Sequence, residues 1–284
     1  MLGGKPLTSH SADNTILVPQ DGSMSALAAA GVAIQIAQSQ DLSIHGLYVV
    51  DEALALDTYA DFRHELGNDH EPVSRAELLT WFEEQGDAAL QLLEARCRAA
   101  GVPVTAEVLV GGVPELLLRK SEQVRLLAIG RRGHSHEGDP HHLGQNFSAI
   151  AHQTHLPLVI GGDEERTIRR LLLAYDGSER ARFALAWASL LQRTLPAEVV
   201  AVAVQKNGRQ SASEWLEEAR AQLAGCQCLR RLGQPASEIV ATAGETQSDL
   251  IVMGRHRHTT LLEWLLGSTV DRVLRGTQLP VLMT

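Results

Sequence analysis

Short apolar runs such as Ile16-Leu-Val18, Leu126-Leu-Ala-Ile129, Leu171-Leu-Leu173 and Leu250-Ile-Val-Met253 recur along the chain. Between them lie longer stretches whose apolar positions return every three or four residues, the period of a helix packed on one side. Runs that alternate with helical stretches predict βα units and a parallel sheet. Strands are expected near 15–19, 44–50, 103–109, 125–129 and 157–160, and again near 170–175, 198–204, 226–231, 249–253 and 280–283. Helices are expected near 24–39, 73–100, 113–122 and 146–153, then near 179–192, 212–224, 235–244 and 268–275. Pro114 and Pro235 fall where a helix starts, a position that tolerates the missing amide N–H. In the run from Trp81 to Ala100, apolar residues at 89, 90, 92, 93 and 97 predict an amphipathic helix laid against the sheet.

The pattern occurs twice. Ile16-Leu-Val-Pro-Gln-Asp21-Gly22-Ser23 matches Leu171-Leu-Leu-Ala-Tyr-Asp176-Gly177-Ser178, 155 residues later. Leu126-Leu-Ala-Ile-Gly130-Arg-Arg matches Leu250-Ile-Val-Met-Gly254-Arg-His, and His155-Leu-Pro157 matches Gln278-Leu-Pro280, at offsets of 124 and 123. Matches in one order mark a tandem repeat, and the falling offset puts about 30 extra residues in the first copy, at about 51–75 and in the long helix after it. The expected division is a tail over 1–13, a first repeat over 14–161 and a second over 168–284. Gly161-Gly162-Asp-Glu-Glu165 reads as a polar, flexible linker between them. The edge strands 155–160 and 279–283 would expose apolar edges unless the repeats covered them, so contact between the repeats along these strands is expected. Dimerisation of the whole chain has no residue pattern of its own.

The 284 residues suffice for two such units, and 44% hydrophobic with 21% charged residues excludes a disordered chain. No window approaches a membrane span, and the start lacks the apolar core of a secretory signal. Three cysteines cannot build a disulfide framework, which fits a cytoplasmic protein. Cys226 and Cys228 share one face if their segment is a strand; burial is the favoured reading and a metal or redox role the minor one. The net charge of -9 argues against nucleic acid as a partner. Up to Glu165 there are 10 Lys+Arg against 23 Asp+Glu, a net of -13; beyond it, 15 against 11, a net of +4. An anionic ligand is therefore drawn to the second repeat.

In an open parallel sheet, ligands bind at the carboxyl ends of strands where the winding reverses. Two loops meet that description in each repeat. Asp176-Gly-Ser178, like Asp21-Gly-Ser23, offers an acid leaving a strand, a glycine for the turn and a serine to cap the next helix. Alone it reads rather as a plain strand-to-helix turn. Gly254-Arg-His-Arg257, nine residues, then Gly267-Ser268-Thr269 offers glycines for close backbone approach, with Ser268 opening the last helix and Asp271 at capping-box spacing. Free N–H groups at that helix start make an anion site.

These residues together resemble a tandem universal stress protein. The family pattern is a strand ending in Asp, then Gly-x2-Gly-x9-Gly-Ser/Thr after the fourth strand, a short helix and a Pro-initiated last strand. The resemblance spans both repeats apart from the tail and the insertion. It implies two tandem doubly wound, open, parallel five-stranded α/β sheets, Rossmann-like and similar to the adenine nucleotide alpha hydrolases, and, with the apolar edge strands, repeats packed face to face as a pseudo-dimer within one chain. In ATP-binding members the Asp and a valine ending the second strand hold adenine, and the glycine loop with its Ser/Thr holds ribose and phosphates. Carried over, these are Asp176, Val204, Gly254, Gly267, Ser268 and Thr269. The family's second glycine is Arg257 here, which either blocks the phosphate or supplies a cation to it. The implied ligand is ATP or AMP, with Mg as its companion ion.

The first repeat departs further. It keeps Asp21, Val49, Gly130 and Gly133, but ten residues separate Gly133 from Gly144, and Gln145-Asn146 follows. Glu137 and Asp139 in that loop would repel a triphosphate, so this repeat is expected to bind nucleotide poorly or not at all. Its His134, His136, His141 and His142 suggest a transition-metal site, outweighed by the plainer reading of a solvated loop. Two function classes stay open: a stress-response regulatory protein that binds adenine nucleotide mainly in the second repeat, or a structural or interaction module of the same fold, which includes one holding another small ligand or metal. No nucleophile–base pair is visible, so no catalytic residue is assigned, and the resemblance implies at most slow ATP hydrolysis.

Overall fold

The computed structural model of the chain describes residues 14–51, 74–133, 143–205, 212–255 and 268–284. The first repeat runs β1 (Thr15–Pro19), α1 (Met24–Gln40), β2 (Ser43–Asp51), α2 (Arg75–Ala99), β3 (Val104–Gly111), α3 (Val113–Ser121), β4 (Leu126–Ile129), α4 (Gln145–Gln153) and β5 (Leu158–Ile160). The second runs β6 (Arg170–Ala174), α5 (Glu179–Thr194), β7 (Glu198–Gln205), α6 (Ala212–Gln222), β8 (Gln227–Leu232), α7 (Pro235–Glu245), β9 (Leu250–Met253), α8 (Ser268–Gly276) and β10 (Val281–Met283). Every expected strand and helix is present. The surplus of the first repeat lies between β2 and β3, which are separated by residues 52–103 where β7 and β8 are separated by 206–226. Part of it is the 25-residue α2; the rest of the insertion, like the N-terminal tail and the histidine loop, lies outside the described residues.

All strands join one sheet in the order β3-β2-β1-β4-β5-β10-β9-β6-β7-β8. Pairing is parallel within each half, and the halves meet where β5 and β10 pair antiparallel, with Val281 opposite Ile160, Leu282 opposite Val159 and Met283 opposite Leu158. This corrects the face-to-face expectation: the repeats touch along the expected edge strands, but edge to edge. The reason is that neither sheet face is bare. One carries α1, α2, α5 and α6 over Ile16, Val18, Leu171 and Leu173; the other carries α3, α4, α7 and α8 over Leu17, Leu127, Leu172 and Ile251. Only the edges had unpaired N–H and C=O groups left to satisfy. Strands covered on both faces need apolar residues at successive positions, which is why Ile16, Leu17 and Val18 are all fully buried.

Two buried arginines fasten the join. Arg131, just after β4, is fully buried, and its Nη1 donates to the carbonyls of Leu274 (3.0 Å) and Thr277 (2.5 Å) at the end of α8, while Nη2 donates to Leu279 (2.6 Å). Its Nε donates to Gly161 at 2.7 Å. Arg255, the matching residue after β9, reaches the opposite way, to the carbonyls of Ala151 (3.0 Å), Thr154 (2.7 Å) and Leu156 (3.2 Å) at the end of α4. A helix C-terminus leaves carbonyls without intrahelical partners and carries partial negative charge, so each cation is held by the other repeat's last helix. Burial pulls the Arg131 pKa down to about 10, which leaves it protonated at neutral pH.

The Gly161–Glu165 stretch is packed rather than flexible. A Cβ on Gly161 would lie 1.8 Å from the Ser25 carbonyl oxygen, and one on Gly162 would lie 2.4 Å from that of Gln278. Asp163 pairs with Arg132, Glu165 with Arg96 at 2.7 Å, and Gln35 donates to the Arg166 carbonyl at 2.8 Å. In α2 the buried stripe is Gly86, Leu90, Leu93 and Cys97, at helical spacing; Leu92, expected in the stripe, falls off it and is exposed.

Candidate functional site

The order of strands reverses between β1 and β4 and again between β6 and β9, so the carboxyl ends of these pairs form two crevices. In the second repeat Asp176 leaves β6 and its Oδ1 accepts from the Ser178 N–H at 3.0 Å, closing a side-chain turn in which Gly177 takes φ 70°. Ser178 caps α5, its Oγ accepting from the Ala181 N–H at 3.2 Å. Gly254 leaves β9 against this same helix start. A Cβ there would stand 2.6 Å from the Arg180 carbonyl carbon and 2.8 Å from the Ala181 nitrogen, so the glycine first serves helix–strand packing.

Val204, near the end of β7, is half-buried on the sheet face covered by α7 and α8, with Ala174 and Met253 on that face in the adjacent strands. Ala174 is half-buried like Val204, and Met253 is buried. Because β10 runs parallel to β9, the connecting α8 must start at the same end of the sheet, which brings Thr269, half-buried, to the crevice side. Asp271 engages Arg275 at 3.0 Å. Arg257, Gly267 and the Ser268 side chain lie outside the described residues.

Sequence reasoning passed over Arg180, which is exposed in the first turn of α5, its backbone carbonyl against Gly254. Only its place four residues after Asp176 could have marked it, at a position where the first repeat has Ser25.

The first repeat has the same frame with different contacts. Asp21 Oδ1 accepts from the Ser23 N–H at 2.9 Å and Gly22 takes φ 79°. Here, however, the two loops are stitched together: Ser23 Oγ donates to the Arg132 carbonyl at 3.1 Å, and Ser25 Oγ accepts from the Arg131 N–H at 2.7 Å. Gly144 donates to the Arg131 carbonyl at 2.9 Å, and Gly133 lies against Asp21, a Cβ there coming within 3.2 Å of Oδ2. The Arg131 N–H, which an anion would use, is already taken by Ser25. Among the described residues no three His, Cys, Asp or Glu side chains converge as a metal site would require.

A family model, the universal stress protein family, matches residues 14–160 and 214–284, more than half of the chain. The chain belongs to the universal stress protein family. The second match contains Gly254, Arg257, Gly267, Ser268 and Thr269, whereas Asp176 and Val204 precede it. The chain is 30% identical to universal stress protein Slr1230 of Synechocystis over 165 residues, 55% of this chain and 56% of that protein, so it spans just over half the length of this relative. Over 51 residues it is 47% identical to universal stress protein MJ0531 of Methanocaldococcus jannaschii, of which it spans less than a third. A universal stress protein of Archaeoglobus fulgidus has the same fold over nearly the whole chain, with a TM-score of 0.73 at 21% identity, covering 95% of this chain and 98% of that one. No described helix is long and apolar enough to cross a membrane.

Proposed function

We propose that this universal stress protein is a cytoplasmic regulatory protein of the stress response that binds one adenine nucleotide, ATP or AMP, in the crevice of its second repeat. Asp176 and Val204 would hold the base. Gly254, Arg257, Gly267, Ser268 and Thr269 would hold ribose and phosphate, with Arg180 as an added cation and Mg accompanying a triphosphate. The observation that carries this reading is the contrast between the crevices. Ser25 bonds the two loops of the first repeat to each other, whereas the second has the exposed Arg180 at that position, with Ala174 and Val204 half-buried at the ends of the adjacent strands. A phosphate meets a cation and a helix start there, and the surplus of positive charge in the second repeat acts in the same direction.

Calorimetry of the full chain with ATP and with AMP tests it, alongside mass spectrometry of small molecules released from the purified protein. The expected result is one site per chain. Arg180→Glu should weaken ATP by tenfold or more, on the order of the 1.5–3 kcal/mol of a charge-assisted hydrogen bond, and leave adenosine unchanged. Two equivalent sites, or none, would overturn the proposal. The packing role of Gly254 favours one alternative, an interaction module that keeps the loop glycine for its fold alone; absence of any bound nucleotide would select it.

A further inference from the structure

We propose that the outer face of α2 is a self-association surface, on which a second copy of this chain docks its own α2 antiparallel about a two-fold axis. The inner face of the helix lies on β2 and β3, with Leu90 and Leu93 against Gly46. Around the other side Trp81, Gln85, Ala88, Leu92, Ala95 and Ala99 are all exposed, Trp81 by 52% and Leu92 by 48%. Their separations of four, three, four, three and four residues are the heptad spacing by which one helix packs along another. At 1.5 Å per residue the stripe is about 27 Å long. Period alone assigns Leu92 to the sheet side; its exposure is what brings the stripe out. The Trp81 ring is braced edge-on by Phe82, with centroids 5.0 Å apart at 71°, and a held aromatic of this kind is a common anchor of protein interfaces.

The stripe selects a second copy because it is its own complement. Laid antiparallel, one register puts large residues opposite small ones in every layer: Trp81 faces Ala99, Leu92 faces Ala88, and Gln85 faces Ala95 of the second copy. The alanines let the helices approach, and the larger side chains fill the space they leave. In the same register the flanking position sets Glu84 opposite Arg98 of the second copy, twice by symmetry, with Gln91 facing itself between them. Both Glu84 and Arg98 are exposed, and the only printed tie of Arg98 is a 3.3 Å pair with Glu94 in its own helix. A parallel pair would instead crowd Trp81 on Trp81 and Leu92 on Leu92, leave gaps at Ala88 and Ala95, and keep Glu84 far from Arg98. The antiparallel arrangement also opposes the two helix dipoles. The β5 and β10 edges already pair with each other inside the chain, so two copies have to meet on another surface.

Sedimentation velocity of the full-length protein over a concentration series tests this. One pair of helices is at the small end of specific interfaces, so a reversible dimer with a Kd on the order of micromolar is expected. Leu92→Glu, at an exposed position that leaves the fold intact by circular dichroism, should raise the Kd about thirtyfold or more, as loss of a central anchor from both copies does. Glu84→Arg and Arg98→Glu should each raise it roughly 3–10-fold by setting like charges opposite one another. Glu84→Arg combined with Arg98→Glu should return the Kd to within about threefold of the unaltered chain, a recovery that neither a folding defect nor a parallel pair produces. A chain that stays monomeric at every concentration, a dimer indifferent to Leu92→Glu, or charge reversals that fail to rescue each other would each overturn the proposal.

Discussion

Replacing Arg131 by Met tests whether the two repeats are locked by their exchanged arginines. Methionine keeps much of the side-chain length but leaves the carbonyls of Gly161, Leu274, Thr277 and Leu279 without their donor. A hydrogen bond to a charged group contributes about 1.5–3 kcal/mol, so the four together represent roughly 6–12 kcal/mol in gross terms. Against this stands the cost of holding a guanidinium out of water, several kcal/mol per ion, which the variant no longer bears. The difference is about 3–5 kcal/mol, the range seen when one member of a buried charged set is removed. Urea unfolding should therefore show a loss of this size, and thermal unfolding a midpoint lower by about 6–10 °C, at roughly 2 °C per kcal/mol for a chain of this length. Arg255→Met, which removes the bonds to Ala151, Thr154 and Leu156, should lose a comparable amount. Arg98→Met, at an exposed pair with Glu94, should stay within about 0.5 kcal/mol. If Arg131→Met and Arg255→Met both cost under about 1 kcal/mol, the guanidinium–carbonyl contacts do not hold the halves together, and the β5–β10 pairing alone must do so.

Gly177→Ala should cost upwards of about 1–3 kcal/mol in urea unfolding, because φ is 70° and a Cβ would lie 2.4 Å from the Trp215 ring; a neutral result would mean that the turn relaxes freely. Glu218 is held below the usual carboxylate range, first by Arg182 at 2.8 Å and then by the Tyr175 hydroxyl. A depressed folded pKa gives stability that is whole above the unfolded value of about 4.3 and fades as pH falls through the folded one. Glu218→Gln should accordingly flatten the acid side of the stability curve between about pH 5 and 3, by less than about 1 kcal/mol at so exposed a pair, and an unchanged curve would count against it. At Arg257, outside the described residues, Arg257→Ala should weaken ATP by about 1.5–3 kcal/mol if the guanidinium serves phosphate, whereas Arg257→Gly should strengthen ATP if the side chain obstructs it. Calorimetry reads the sign, and no change in either would remove this loop from the phosphate site.

The strands and helices were legible because burial on both faces demands unbroken apolar runs, as in Leu171-Leu-Leu173, and because the repeat let each weak element be checked against its partner. The way the halves join was only half legible. The apolar edge strands pointed to a contact, but nothing local marks Arg131 or Arg255 as buried, since the carbonyls that hold them, Gly161 apart, lie about a hundred residues or more away in sequence. The Gly161-Gly162 pair misled for a related reason. Glycine reads as freedom when the neighbours are unknown, yet here it marks places where a Cβ would strike another segment's backbone.

The same ambiguity governs the site. Gly130 and Gly254 are the residues most suggestive of a phosphate loop, and both are required by packing: a Cβ on Gly130 would stand 2.9 Å from the Ala26 nitrogen, as one on Gly254 would stand 2.6 Å from Arg180. A glycine that the fold already needs says nothing about a ligand, and the first repeat makes the point, keeping Gly130 and Gly133 while its serines bond the loops to each other. Discriminating power therefore rests with residues that helix packing does not account for. Val204 is a half-open apolar residue at a strand end, and Arg180 is an exposed cation at a helix start, where the helix dipole disfavours positive charge. A cation kept at that end is destabilising unless an anion offsets it, so the free protein should gain stability from Arg180→Gln, by a few tenths of a kcal/mol. Saturating ATP should reverse that order, because only the arginine then gains a partner. If Arg180→Gln is no more stable without nucleotide, or stays the more stable form with ATP bound, the cation has no phosphate to serve and the crevice loses its strongest claim.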